Sequence, residues 1–216
     1  IRRILRENKS PQIEGMPSFT GGLVGYFSYD YIKYSEPTLN LDAEDNESFK
    51  DVDLMLFDKV IAFDNLRQKI VLIAGVRTEA PDTEYHKAEM ELESLAHLIT
   101  TGDSAAIPPL KLKTPFTPLF DKPSFCEMVE QGKRHIREGD IFQVVLSNRL
   151  EADMEGSLFD VYRVLRTTNP SPYMFYFSSD DIEIAGASPE TLVKLDHGKL
   201  STFPLAGTRP RGKTPE

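Results

Sequence analysis

Apolar residues recur at helical spacing between positions 81 and 100. Tyr85, Ala88, Leu92, Leu95 and Ile99 fall on one stripe, and Pro81 suits a first helical turn. A second helix is expected after Ser124-x-x-Glu127, a capping box preceded by Pro123. Phe125, Met128, Val129 and Ile136 line its inner face, and Gly139 ends it. A third starts at Ser157-x-x-Asp160, turns Leu158, Val161, Tyr162 and Leu165 inward, and stops before Asn169-Pro170-Ser171-Pro172.

Between these helices the pattern shortens to strand length. Residues 21–30 read as a strand after a flexible glycine pair, and 52–63 and 69–76 as a hairpin about Asp64-Asn65. Residues 141–147 read as a further strand. Four more follow at 173–177, 182–187, 191–195 and 199–203, the last two joined by an Asp196-His197-Gly198 turn. Residues 1–20 suggest a helix tail and loop, and 35–50 an acidic, exposed loop. The stretch 101–118 carries Pro108, Pro109, Pro115 and Pro118, which predicts a boundary or a surface strap without regular structure. Helices set against an antiparallel run of strands predict an α+β fold. Its parts are a sheet-and-helix region over 1–100, the strap over 101–118, and a second region over 119–216.

Composition narrows the function classes. The 216 residues carry a net charge of −9, the wrong sign for gripping a phosphate backbone, so no nucleic-acid partner is expected. The longest apolar run, around residues 70–76, is strand-sized, so no membrane partner is expected either. A single cysteine, Cys126, allows no internal disulfide and fits a reducing cytoplasm. The four histidines, His86, His97, His135 and His197, share no ligand-like spacing, and no metal site is expected in this chain. The N-terminal Ile1-Arg2-Arg3-Ile4-Leu5-Arg6 is no signal peptide, and without a leading methionine the natural start is expected upstream.

Candidate chemistry gathers near the C-terminal end. Phe203-Pro204-Leu205 feeds Gly207 and Thr208, which can offer donors at close approach, and Arg209, Arg211 and Lys213 follow. This is either a seat for a small carboxylate or a solvated cationic loop. Residues 207–214 also match the phosphate-binding G-x-x-x-x-G-K-T pattern. Pro210 lacks the N–H that such a loop needs, and Pro204 and Pro215 spoil the required strand and helix. Farther up the chain, Gln143 is a polar residue in an apolar run, either facing solvent or contributing to a site. The Gly21-Gly22-x-x-Gly25 cluster is not a dinucleotide fingerprint, because no helix opens inside it.

Five segments, GGLVGYFSYD, EGDIFQVVLS, NPSPYMFYF, GASPE and PLAGTRPRG, follow one another in an order that closely resembles the large, chorismate-using subunit of anthranilate synthase. The resemblance implies the α+β fold of that chorismate family, with two antiparallel sheets and helices outside. It also implies conversion of chorismate and ammonia to anthranilate and pyruvate, the first step of tryptophan biosynthesis, a lyase reaction. Ammonia would come from glutamine through an amidotransferase subunit, and tryptophan would inhibit. Relatives that add water carry a lysine where Gln143 stands, and a neutral amide cannot serve as that base. Relatives that form a covalent lysine adduct carry the lysine where Ala206 stands. Glu190 matches the family's general acid, the bland alternative being a helix- or turn-capping glutamate. Gly207 and Thr208 match chorismate-binding positions, and Pro172, Tyr173 and Met174 match part of the tryptophan site.

The resemblance also brings expectations that this sequence does not carry. The magnesium-binding carboxylates of the family, a histidine and later glycine-rich loops would lie beyond Glu216, and the serine of the tryptophan site before Ile1. The chain is therefore expected to be truncated at both ends and inactive alone. The alternatives are synthesis of 2-amino-2-deoxyisochorismate or aminodeoxychorismate, or an incomplete fragment serving only binding contacts.

Overall fold

Helices and antiparallel strand pairs alternate along the chain in a computed structural model, which describes residues 1–41, 45, 47–205 and 212–213. The fold is α+β, and it divides into two compact units, Ile1–Ala105 and Ala106–Glu216.

In the first unit, helix α1 (Arg2–Glu7) precedes β1 (Gly22–Phe27) and a 3-10 turn at Tyr29–Tyr34. Asp51 anchors that turn, accepting from Lys33 at 2.7 Å and from the Tyr34 hydroxyl at 2.8 Å. β1 pairs with β2 (Val52–Phe57), from Gly22↔Phe57 to Phe27↔Val52, while β3 (Lys59–Asp64) pairs with β4 (Lys69–Ala74). The run 52–63, expected as one strand, is therefore two. The chain changes partner at Asp58, whose carbonyl accepts the Gly75 N–H at 2.8 Å and closes the β3–β4 ladder there. In the hairpin turn, Asp64 Oδ1 accepts from the N–H groups of Leu66 and Arg67 at 3.1 and 2.9 Å, a local closure suited to aspartate.

Helix α2 (Pro81–Thr101) lies along β4, enclosing Ala88 and Ile73 at 7% and 8% exposure. Leu92 and Leu95 continue that stripe, but Tyr85 and Ile99, expected inward, are exposed. Glu91 instead sits on the inner side, 3.4 Å from Lys59.

In the second unit, the proline-bearing stretch is not free of regular structure. It supplies β5 (Lys111–Leu112) and β6 (Thr117–Pro118), which pair with β8 (Met154–Glu155) and β7 (Leu150–Glu151). Each pair is two residues long, and β6 itself ends on Pro118, which has no N–H to donate to a longer ladder. Helix α3 (Lys122–Glu138) is capped by Asp121, whose Oδ1 accepts the Ser124 N–H at 2.9 Å. Ser124 is thus inside the helix rather than its cap, and Gly139 closes the far end with φ 86.

The expected strand at 141–147 does not form. A strand needs a ladder partner, and among the described residues none runs beside it. Phe142 and Val145 are 101% and 84% exposed, while Val144 rests against Gly132 of α3.

Helix α4 (Phe159–Thr168) packs on the hairpin of β9 (Tyr173–Ser178) and β10 (Glu183–Ser188). Phe159 and Tyr162 meet the Tyr176 ring at 5.4 and 5.9 Å between centroids. β11 (Thr191–Asp196) pairs with β12 (Lys199–Phe203) through a tight turn in which His197 and Gly198 both have positive φ, 47 and 77. These four strands fall within one residue of expectation. Among the described residues, no helix is long and apolar enough to cross a membrane.

Candidate functional site

Glu190 sits in the two-residue connection from β10 to β11. Ser188, the last residue of β10, closes this connection: its Oγ accepts the Glu190 N–H and donates to the Glu190 carbonyl, both at 3.4 Å. The Glu190 side chain is exposed, and among the described residues nothing is bonded to its carboxylate. That weighs against the turn-capping alternative, because Ser188 performs the closure and leaves the acid free.

Tyr173 bridges the two sides of this connection. It is the ladder partner of Ser188 across β9–β10, and its hydroxyl accepts from Thr191 Oγ1 at 2.8 Å. Thr191 in turn pairs with Phe203, at the end of β12. Thr202 Oγ1 ties the irregular part of that ladder, donating to the carbonyls of Leu192 and Thr191 at 2.9 and 3.3 Å. The strand pair thereby brings Glu190 and Pro204 to one end. Ala206, Gly207, Thr208, Arg209 and Arg211 lie outside the described residues, as does most of the P-loop-like pattern.

The structure splits the three residues expected at the tryptophan site. Pro172 and Tyr173 are exposed, whereas Met174 is half-buried. Successive strand residues point to opposite faces, so Met174 shares the face of Tyr176, against α4, while Tyr173 shares that of Phe175. On that second face the Phe175 ring lies over Gly186, its ladder partner, where a Cβ would overlap the ring. Gln143 is exposed in the stretch after α3.

Two features escaped the sequence reading. Glu183 binds the start of α4, accepting from Leu158 N–H at 2.7 Å, Tyr176 Oη at 2.8 Å and Ser157 Oγ at 3.0 Å. The Leu158 N–H, then the Tyr176 and Ser157 hydroxyls, hold its carboxyl below the usual carboxylate range. A carboxylate heading an apolar strand was the available signal. The other is the Tyr173–Thr191 bond, which only the strand register brings together.

One group among the described residues has metal-ligand chemistry: His135, Glu138 and Asp140, at the end of α3. It does not fit magnesium, which takes near-octahedral oxygen ligands, because one of the three donors is an imidazole whose Nδ1 is already 2.8 Å from Asp140.

The family described as chorismate binding enzyme matches residues 1–216. The chain is 40% identical over 224 residues to the probable anthranilate synthase component 1 of Schizosaccharomyces pombe, covering 100% of this chain and 45% of that protein. It is 42% identical over 212 residues to anthranilate synthase component 1 of Acinetobacter calcoaceticus, covering 94% and 42%. The crystal structure of anthranilate synthase component I from Streptococcus pneumoniae TIGR4 superposes with a TM-score of 0.75 at 30% identity, over 93% of this chain and 46% of that one. The chain thus spans less than half the length of these relatives.

Proposed function

This chain belongs to the chorismate binding enzymes, and from that premise we propose that the protein carrying it is an anthranilate synthase large subunit. Its reaction joins ammonia to the chorismate ring, expels the ring hydroxyl as water and then releases pyruvate, leaving anthranilate, the entry to tryptophan biosynthesis. Glu190 supplies the proton that lets the hydroxyl leave as water. Gly207 and Thr208 hold a substrate carboxylate through backbone and hydroxyl donors. Gln143, neutral at working pH, leaves water unactivated, so ammonia, already nucleophilic, is the incoming group. Ala206 provides no amine for a covalent adduct.

The observation that carries this reading is the placement of Glu190. Its carboxylate is free of described partners and stands at the same end of β11–β12 as the chain leading to the proposed substrate loop. Ammonia is delivered from glutamine by a separate amidotransferase subunit, tryptophan inhibits at Pro172, Tyr173 and Met174, and the protein works in the cytoplasm. Magnesium assists the full enzyme; no described residue set fits it, and no step here depends on it.

Anthranilate fluorescence from chorismate, ammonium and magnesium tests the assignment in the full protein, with Glu190→Gln beside it. Turnover is expected to collapse in the variant while KM for chorismate changes little. Wild-type turnover in Glu190→Gln, or an amino-deoxy product without pyruvate release, would reject it. A second reading, that these residues alone only supply binding contacts, is favoured by the exposure of Phe142 and Val145. Product formed by the 216-residue chain without a partner would remove that reading.

A further inference from the structure

The β9–β10 and β11–β12 pairs are separate ladders, joined in the chain only by Pro189 and Glu190. The Thr191–Tyr173 bond links them a second time, from β11 to β9. Together with the Tyr173↔Ser188 ladder position it closes a ring: Tyr173, Ser188, Pro189, Glu190, Thr191 and back to Tyr173. Within that ring the contacts of Ser188 with the Glu190 backbone are long, 3.4 Å, at the weak end of hydrogen bonding. The 2.8 Å hydroxyl pair is its short, strong closure. Thr191 is fixed independently on its backbone side, by Phe203 across the ladder and by the Thr202 hydroxyl. Its side chain is therefore free to act as a strut rather than being needed to hold β11 in place.

We propose that Thr191 is a positioning residue for the acid step, its hydroxyl bond to Tyr173 holding the Ser188–Thr191 connection so that the Glu190 carboxylate is presented to substrate. The proposal rests on the reading of Glu190 as the acid. Thr191 touches no reacting atom in this account. It works by restricting the backbone on which Glu190 is carried, and a small displacement of a proton donor lowers rate more than it lowers substrate affinity.

The test uses the full protein with chorismate and ammonium, in the absence of tryptophan. Thr191→Val and Tyr173→Phe are each expected to lower kcat about fivefold to tenfold with KM for chorismate within about twofold. The double variant is expected to be no slower than the slower single, because both remove one bond. Thr191→Ser keeps the hydroxyl and should restore most of the turnover, an outcome that loss of packing would not give. Tyr173→Phe deletes a single oxygen and serves where Thr191→Val does not fold. Wild-type kcat in Tyr173→Phe, or losses that multiply in the double variant, would overturn the strut. Glu190→Gln in the same series separates the two failures. If it is inactive while the Thr191 and Tyr173 variants turn over normally, positioning alone is wrong. If it is fully active, the acid reading falls and the strut with it.

Discussion

The Glu183 carboxylate accepts the Leu158 N–H at 2.7 Å, so a strand residue caps a helix that begins one position later. No side chain of the helix's own N-cap residue does this. The folded protein lowers the pKa of Glu183, which places its contribution above the unfolded carboxylate pKa and removes it as pH falls through the folded value. Amide exchange at Leu158 and along α4, corrected for intrinsic rate, is therefore expected to accelerate on acidification. Glu183→Gln should speed that exchange at neutral pH by about fivefold, the order of one lost helix cap, and flatten its acid dependence. Unchanged exchange in the variant would show that α4 is held by Phe159 and Tyr162 packing alone.

Gly186 leaves the space that the Phe175 ring fills. Gly186→Ala is expected to destabilise the full protein by about 1–3 kcal/mol, the usual cost of forcing extra volume into a packed contact. Phe175→Leu in the same chain should recover part of it. Urea unfolding of both variants decides this, and an Ala variant as stable as wild type would mean that the ring moves aside freely.

At the β11–β12 turn, His197 holds a positive φ that asparagine adopts more readily. His197→Asn should raise stability by about half a kcal/mol, and Gly198→Ala should lower it by about 1 kcal/mol. A higher Tm for Gly198→Ala would contradict the turn geometry.

Met174 and Tyr173 face opposite ways on β9, so their variants need not act alike. Met174→Thr is expected to weaken tryptophan inhibition several-fold while uninhibited turnover stays close to wild type. Dose–response curves for tryptophan provide the check. Unchanged inhibition would take Met174 out of the proposed effector site.

Legibility in the sequence followed the range of the interaction involved. β9 to β12 could be read closely because each pair is closed by a short local turn, such as His197-Gly198, and the α+β class followed from them. The stretch at 141–147 has the same apolar character but no local partner, and among the described residues it remains unpaired. The cap of α3 was read at Ser124, and the 2.9 Å bond places it three positions earlier, at Asp121. Glu190 was singled out through the ordered motifs around it. Its freedom from described partners, and the bond between Thr191 and Tyr173 eighteen positions earlier, depend on register that no local pattern encodes.

The β11–β12 pair has two unlike ends. One carries Glu190, and the other is the exposed His197-Gly198 turn, six strand residues or about 20 Å away. That distance makes the turn a handle for engineering: a short peptide tag, or a cysteine for a fluorophore, inserted there would sit on the same ribbon as Glu190 without entering its surroundings. Motion of the ribbon on addition of chorismate could then be followed from the end remote from Glu190.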